Sequence, residues 1–399
     1  MRQLVYFISF YSAVILFFGL IKYLLLRFAH RSWWSRRWIR RVAYAVPPIG
    51  ILSLALIGFS EANELGWLTA VFAPLATFAL ILEMTLAFTL PFSAAINLIN
   101  RLIDRLRKVP NTVVIPTVDR NRRLLLKGLA AAVPMAAVGT AASGFGRAFN
   151  GAAIVEKQFS YAGLPPTLDG LKLLQISDSH LRQYVTLKDL ENLLGRAESF
   201  KPDLVLVTGD LADDLGQLPG ALSLMDQLKP RLGSFASLGN HEHFRGLTRV
   251  RGIFDKSAVP LLVDQSVRLD VDGTPLVVAG IDDPVSMGSI REDFFDSSLD
   301  MALADRNSEE FTVLMSHRPS VFPYASSRKV DLTLAGHTHG GQMGWSGRSV
   351  WENHFPGNYL WGRYTLENRH LYTTCGMGHW FPFRLGCPCE APLITLRSA

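Results

Sequence analysis

Four apolar runs in the first 150 residues constrain this chain more than any other feature. They cover roughly Val5 to Leu26, Ala43 to Phe59, Trp67 to Leu90-Pro91, and Gly128 to Phe145, the last rich in Ala and Gly. Runs of about 17–25 apolar residues cross a bilayer as helices, because a helix satisfies its own backbone where no water is available. The first part of the chain is therefore expected to be all-α and transmembrane. These runs raise the mean hydropathy of the 399-residue chain to +0.19.

Charge divides the chain at the same place. Residues 1–150 hold 17 Lys/Arg against 5 Asp/Glu, and the remainder holds 23 against 29. The basic excess sits in the apolar part, so it reads as a topology signal and not as a nucleic-acid surface. The first loop carries Arg27, Arg31, Arg36, Arg37, Arg40 and Arg41 and no acid. The next is short and acidic, with Glu61 and Glu64. The third carries Arg101, Arg105, Arg107, Lys108, Arg120, Arg122, Arg123 and Lys127. Basic loops stay in the cytoplasm. Three helices within 1–98, a basic cytoplasmic linker over 99–127 and a fourth segment over 128–149 then leave 150–399 outside the cytoplasm.

Two details of this region stay open in the sequence. Asn121 to Lys127 resembles a twin-arginine export signal, and equally an ordinary basic flank of a fourth helix; both put the rest of the chain on the same side. Glu83 lies inside the third run, where no basic partner is evident in the neighbouring runs, and is expected near an end or packed inside the bundle.

After Gly151 the pattern becomes that of a globular α/β domain. Short β-rich runs occur at 171–176, 204–208, 234–238, 276–281, 312–316 and 332–335, with helical patterns at 186–200 and 218–228. A strand–helix–strand unit needs about thirty residues, which matches the steps from Asp178 to Asp210 to Asn240. Five motifs end such runs: Asp178-Ser179-His180, Gly209-Asp210-Leu211-Ala212-Asp213, Gly239-Asn240-His241-Glu242, His317, and Gly336-His337-Thr338-His339. Strand ends of α/β sheets are where sites gather. Asp, Asn and His in this mix suit a pair of divalent ions, which need a bridging carboxylate flanked by imidazole and amide ligands. Any one motif alone is weak, since turns favour Gly, Asp and Asn; five in order are not.

In that order the motifs resemble the calcineurin-like metallophosphoesterases. Gly340-Gly341-Gln342, Gly376-Met377-Gly378, Arg384 and Pro388-Cys389-Glu390 narrow the likeness to a membrane-associated bacterial branch that often carries a twin-arginine signal. The likeness covers about 155–395. It implies a four-layer α-β-β-α sandwich and hydrolysis of a phosphomonoester or phosphodiester at two metal ions (Mn, Fe or Zn) that activate a water. Carried onto this chain, Asp210 bridges the ions. Asp178, His180 and His339 complete one site; Asn240, His317 and His337 complete the other. His241 stands apart as the acid for the leaving group, oriented by Asp213. The branch also implies a multi-pass protein of the bacterial inner membrane, its domain periplasmic or extracellular.

The remaining residues read more plainly. His243, His354 and His379 are expected at the surface or behind the ligands, Asp214, Asp282 and Asp283 in turns or caps. Arg318 and Arg384 either touch substrate phosphate or form internal ion pairs. Three cysteines, Cys375, Cys387 and Cys389, describe no disulfide framework. One disulfide, for example Cys375 with Cys387 or Cys389, and buried free thiols both remain open. Trp345, Trp351, Trp361, Trp380, Phe355, Tyr359, Phe381 and Phe383 crowd the C-terminal part. Loop and core packing is the favoured reading; a lipid-like or membrane contact is the other, which would make the phosphoester lipid-linked or part of the cell envelope. The alternative to an enzyme is a sensor or scaffold that only binds, although degenerate domains lose ligands and this one keeps all of them.

Overall fold

The computed structural model describes residues 2–63, 65–106, 117–182, 184–285, 292–354, 357, 359–379 and 381–399. It divides into two compact units, Met1–Phe145 and Gly146–Ala399. Glu64, Arg107, Lys108, Phe355 and Trp380, named above, lie outside the described residues.

Among its described residues the first unit has helices as its only regular structure: α1 (Arg2–Leu24), α2 (Arg31–Trp34), α3 (Arg37–Ala62), α4 (Gly66–Leu106) and α5 (Thr117–Arg147), which ends two residues inside the second unit. Four stretches are long and apolar enough to cross a membrane: Ile8–Ala29, Arg37–Ser60, Trp67–Leu106 and Arg120–Arg147. Small residues let the helices close up, as in other membrane bundles. A side chain at Gly50 on α3 would run into Ile15 of α1 and Ala79 of α4.

Two expectations change here. The third helix does not fade at Leu90-Pro91; α4 continues through Pro91 for 41 residues in all. At 1.5 Å per residue that is about 60 Å, roughly twice the hydrocarbon thickness. Pro91 removes one donor, which a helix in a membrane bundle tolerates, and apolar residues such as Leu98, Ile99 and Leu102 continue the pattern beyond it. The expected linker is thus helical at both ends, since α5 begins at Thr117. Glu83 does have a basic partner. Lys22 Nζ lies 2.5 Å from Glu83 Oε1 and also donates to the Ala43 carbonyl at 3.1 Å. The pair is 2% and 0% exposed. Lys22 lies inside the first apolar run, and packing turns it toward Glu83.

Among its described residues the second unit holds thirteen strands: β1 (Ala153–Tyr161), β2 (Lys172–Ile176), β3 (Leu204–Thr208), β4 (Ser234–Ser237), β5 (Gln265–Val271), β6 (Thr274–Gly280), β7 (Phe311–Met315), β8 (Leu332–Ala335), β9 (Gly344–Trp345), β10 (Arg348–Ser349), β11 (Gly362–Leu366), β12 (Arg369–Thr373) and β13 (Glu390–Ser398). Its helices are α6 (Leu187–Glu198), α7 (Leu218–Gln227), α8 (Asn240–Arg245), α9 (Leu247–Phe254), α10 (Glu292–Ala302) and α11 (Phe322–Ser327). One sheet runs β1-β13-β2-β3-β4 and the other β11-β12-β8-β7-β6-β5; β9 and β10 form a separate hairpin.

Period-two alternation builds the layers. Leu173, Leu204 and Leu206 of the first sheet face Val278, Val313 and Met315 of the second, forming the central core. Their neighbours Leu174, Val205 and Val207 point the other way, onto Leu190 and Leu193 of α6 and Leu222 and Met225 of α7. Ala279 and Leu314 cover the opposite side with Phe295 and Leu299 of α10. The result is helix, sheet, sheet, helix. Strands β2, β3 and β4 are mutually parallel in one sheet, as are β6, β7 and β8 in the other.

Candidate metal centre

The five motifs follow the C-terminal ends of parallel strands, but in two sheets and not one. Asp178, Asp210 and Asn240 follow β2, β3 and β4; His317 and His337 follow β7 and β8. The loops are tightly turned. Asp178, His180, Asp210, His337 and His339 all have positive φ, between 46° and 68°. Non-glycine residues rarely adopt this region, and strain of this kind gathers at functional sites. The carboxylates press so close on neighbouring backbone that two glycines are required. A side chain at Gly239 would collide with the Asp210 carboxylate, and one at Gly336 with that of Asp178.

Six of the seven expected ligands come together in two groups that share Asp210, and the seventh, Asn240, precedes His241, whose N–H donates to Asp210 Oδ1 at 2.9 Å. In the first, His180 Nε2 lies 3.3 Å from His339 Nε2 and 3.7 Å from Asp210 Oδ2, while His339 Nε2 lies 3.5 Å from Asp178 Oδ1. In the second, His317 Nε2 lies 3.2 Å from the same Asp210 Oδ2 and 3.1 Å from His337 Nδ1. Asn240 is buried, and its Oδ1 has no hydrogen-bond partner. A buried carbonyl oxygen left unpaired is costly; a cation would satisfy it. Converging imidazole nitrogens, buried carboxylates and this orphaned oxygen fit divalent ions of the Mn, Fe or Zn type.

The surrounding groups orient this set. Ser177 Oγ donates to Asp178 Oδ2 at 2.6 Å, and the His317 Nδ1 edge meets the Thr208 carbonyl at 2.9 Å, turning Nε2 inward. Arg384, fully buried, sits with Nη2 3.0 Å from His339 Nδ1 and also donates to the Gly378 carbonyl. Arg318 forms a buried two-pronged pair with Asp283, at 2.9 and 3.3 Å. Both arginines are thus internal braces. Asp283 is a partner for Arg318 as well as a turn residue, and Asp282 lies 2.7 Å from His243 Nε2. Asp214 caps its turn, accepting from Gly216 N–H. His354 is exposed, whereas His379 is buried with both ring nitrogens unpaired.

His241 stands at the border of the cluster, partly exposed. Its Nδ1 is 2.5 Å from Asp213 Oδ1, and its Nε2 looks toward Asp210 Oδ2 at 3.9 Å. Asp213 also lies 3.5 Å from His180 Nδ1 and 3.1 Å from Arg245 Nη2. Two contributors escaped the sequence reading. Arg245 braces Asp213; it lies four residues after His241 on α8, hence on the same helix face, and that spacing was a usable signal. Glu242 accepts from the N–H groups of Gly239, Asp210 and Leu211 at 2.8–2.9 Å, tying the β3 and β4 loops together.

The cluster's electrostatics follow from burial opposed by carboxylates. Burial disfavours the charged forms of His180 and His317. Asp213, Asp210 and Asp178 nonetheless raise His180 to about 9, and Asp210 above all raises His317 to about 10. Asp213 resists its own burial and is held well below the usual carboxylate range by His180 and His241. Burial, then His317 and Arg318, lowers His337 to about 2, and burial, then Arg384 and His180, holds His339 well below its ordinary value.

Cys375, Cys387 and Cys389 are all buried and free, with the sulfurs of Cys375 and Cys387 in contact. The aromatic residues divide. Trp361 is buried against these sulfurs, whereas Trp345 and Trp351 are exposed.

The calcineurin-like phosphoesterase family matches residues 171–341. An uncharacterized metallophosphoesterase of Aquifex aeolicus (strain VF5) is 31% identical over 231 residues, 57% of this chain and 85% of that protein. The uncharacterized metallophosphoesterase YkuE of Bacillus subtilis (strain 168) is 29% identical over 290 residues, 70% of this chain and 98% of that protein. A transmembrane protein with metallophosphoesterase domain from Danio rerio is 28% identical over 265 residues, 62% of this chain but only 57% of its own length. The chain belongs to the calcineurin-like metallophosphoesterase family of metal-dependent hydrolases.

Proposed function

We propose that this chain is a multi-pass protein of the bacterial inner membrane whose domain, outside the cytoplasm, hydrolyses a phosphomonoester or phosphodiester at two divalent ions. One observation carries the reading. The Asp210 carboxylate faces both ligand groups at once, 3.7 Å from His180 Nε2 and 3.2 Å from His317 Nε2. Asp210 is then the bridge. Asp178, His180 and His339 hold one ion, and Asn240, His317 and His337 hold the other. Two bound ions supply Lewis acidity toward the phosphoryl oxygens and activate a water as nucleophile.

The protein's own residues do the rest. His241, held through Nδ1 by Asp213, presents Nε2 to the leaving group and donates its proton there. Arg245, 3.1 Å from Asp213 Oδ1, holds that carboxylate in place. Arg122 and Arg123 we read as the basic flank of α5: Arg122 lies 2.5 Å and Arg123 3.2 Å from Asp104 Oδ1 of α4. The substrate we infer is an envelope phosphoester that is lipid-linked, since the domain follows directly on a membrane helix.

The test uses the full chain in detergent, loaded with Mn²⁺, on model mono- and diesters. Metal-dependent turnover is expected. No turnover on any phosphoester, or unchanged turnover in Asp210→Asn, contradicts the reading.

A further inference from the structure

Exposed apolar side chains lie on and beside the loops of the metal centre. In residues 146–399 seven large hydrophobic side chains are exposed among the described residues: Phe149, Phe244, Met301, Trp345, Val350, Trp351 and Leu366. Four of these seven, Phe244, Trp345, Val350 and Trp351, sit on segments joined to the ligand loops, and a fifth, Phe149, packs against Tyr184 and His379 beside them, which is not what scattered surface residues do. Phe244 packs 5.5 Å, ring to ring, from His241. Trp351 donates from Nε1 to the Gly341 carbonyl at 3.2 Å, two residues after His339. Trp345, 81% exposed, stands on the β9–β10 hairpin that leaves this same loop. The segment Gly344-Trp345-Ser346-Gly347-Arg348-Ser349-Val350-Trp351 carries one arginine and no acid. Trp with Arg and no acid is the composition of a bilayer interface, whose lipids are in part anionic.

Phe149 says what covers this rim. Its ring lies 6.0 Å from both Tyr184 and His379. Tyr184 belongs to the loop that begins at Asp178, and His379 follows Gly378, whose N–H donates to the Asp178 carbonyl at 2.9 Å. Phe149 is also only two residues past Arg147, where the fourth membrane-spanning stretch ends. Two residues reach at most about 7 Å. A chain that leaves the bilayer at Arg147 therefore arrives at once at the rim of the metal centre.

We infer that this rim rests on the bilayer surface, and that the phosphoester is taken from the membrane with its phosphate at the metal centre and its acyl chains still in the bilayer. The inference rests on the phosphoesterase reading for its substrate, but not for its surface. Trp345 and Val350 enter the headgroup region, Arg348 meets anionic headgroups, and Phe149 and Phe244 line the passage.

Because the native cysteines are buried, Trp345→Cys and Met301→Cys can each be labelled with a nitroxide in the full chain, in vesicles of phosphatidylethanolamine and phosphatidylglycerol. The label at 345 is expected to be relaxed more by oxygen than by a water-soluble nickel chelate, and that at 301 the reverse. Equal, aqueous behaviour at both positions overturns the inference. In parallel, kcat/KM is compared for one phosphoester chemistry as a soluble ester and as an acylated ester embedded in vesicles. In Trp345→Ser/Val350→Ser the ratio of embedded to soluble kcat/KM should fall at least about tenfold; an unchanged ratio contradicts the inference. No turnover of either ester by the unaltered chain would contradict the phosphoesterase reading instead, and the label would still report on the surface.

Discussion

Two regions of this molecule bury charge, and they do so differently. In the membrane unit, Lys22 and Glu83 neutralise each other one to one at 2.5 Å. In the metal centre, Asp178 and Asp210 are 0% and 2% exposed, and among the described residues no lysine or arginine lies within ion-pair distance of either; only histidines do. A buried charge is tolerated only when paired. The first region carries its counter-charge in its own sequence, so it is complete. The second has carboxylates whose histidine neighbours can be either charged or neutral, so ions from outside would complete it. The difference separates an ion pair that holds helices together from a site that binds.

The sharpest way to break the comparison is at Asp210. Asp210→Asn removes the one carboxylate both groups share, and turnover should drop by well over the 10–100-fold typical of outer partners of a metal site. His241→Ala keeps every ligand; kcat should fall about 10²–10⁴-fold, the range of general acid catalysis, with metal content unchanged. Loss of metal in that variant would make His241 a ligand and not an acid.

In the membrane unit, Lys22→Leu leaves Glu83 buried alone and should cost about 3–5 kcal/mol, the usual cost of breaking a buried pair. Thermal unfolding in detergent reads this, and the double variant Lys22→Leu/Glu83→Leu should recover most of it. A double variant as unstable as the single one would mean that the pair does more than hold helices.

The pH dependence of the two regions should differ as well. His180 at about 9 and His317 at about 10 lie above the ordinary value near 6.5. Their contribution to the stability of the metal-free domain is complete below about pH 6.5 and is lost as pH rises through 9 to 10. Ligation needs neutral imidazole, so metal binding releases these protons. Between pH 7 and 9 apparent Mn²⁺ affinity, measured by calorimetry, should rise about 10–100-fold per pH unit, one factor of ten for each proton displaced. A flat profile would show that the histidines are already neutral. The smallest effect belongs to Arg122→Lys/Arg123→Lys. A reporter fused after Ala399 should be exported unchanged, because lysine also flanks a membrane helix; lost export would mark a true twin-arginine signal.

What the sequence discloses and what it hides follow the same physics. The six strands read in advance are buried on both faces or carry short β-branched runs, and each ends at a motif or in the core. Strands β1 and β13 escaped because their pairing, Ala153 with Glu390 onward, joins residues more than two hundred positions apart. The seven residues proposed as ligands were legible because their types and order follow a family pattern. Their supports were not. Arg245 is signalled only by its spacing from His241, and nothing in the sequence says that Lys22 turns toward Glu83. Trp345 and Trp361 look alike in sequence, yet one is exposed and the other buried, since burial depends on which sheet edge lies nearby.

The central claim is that Asp210 joins two metal sites. The direct measurement is metal content by mass spectrometry of the full chain, purified in detergent and equilibrated with excess Mn²⁺, beside Asp210→Asn. The account predicts two ions per chain, falling to one or none in the variant. One ion or none in the unaltered chain, or two retained in the variant, would contradict it.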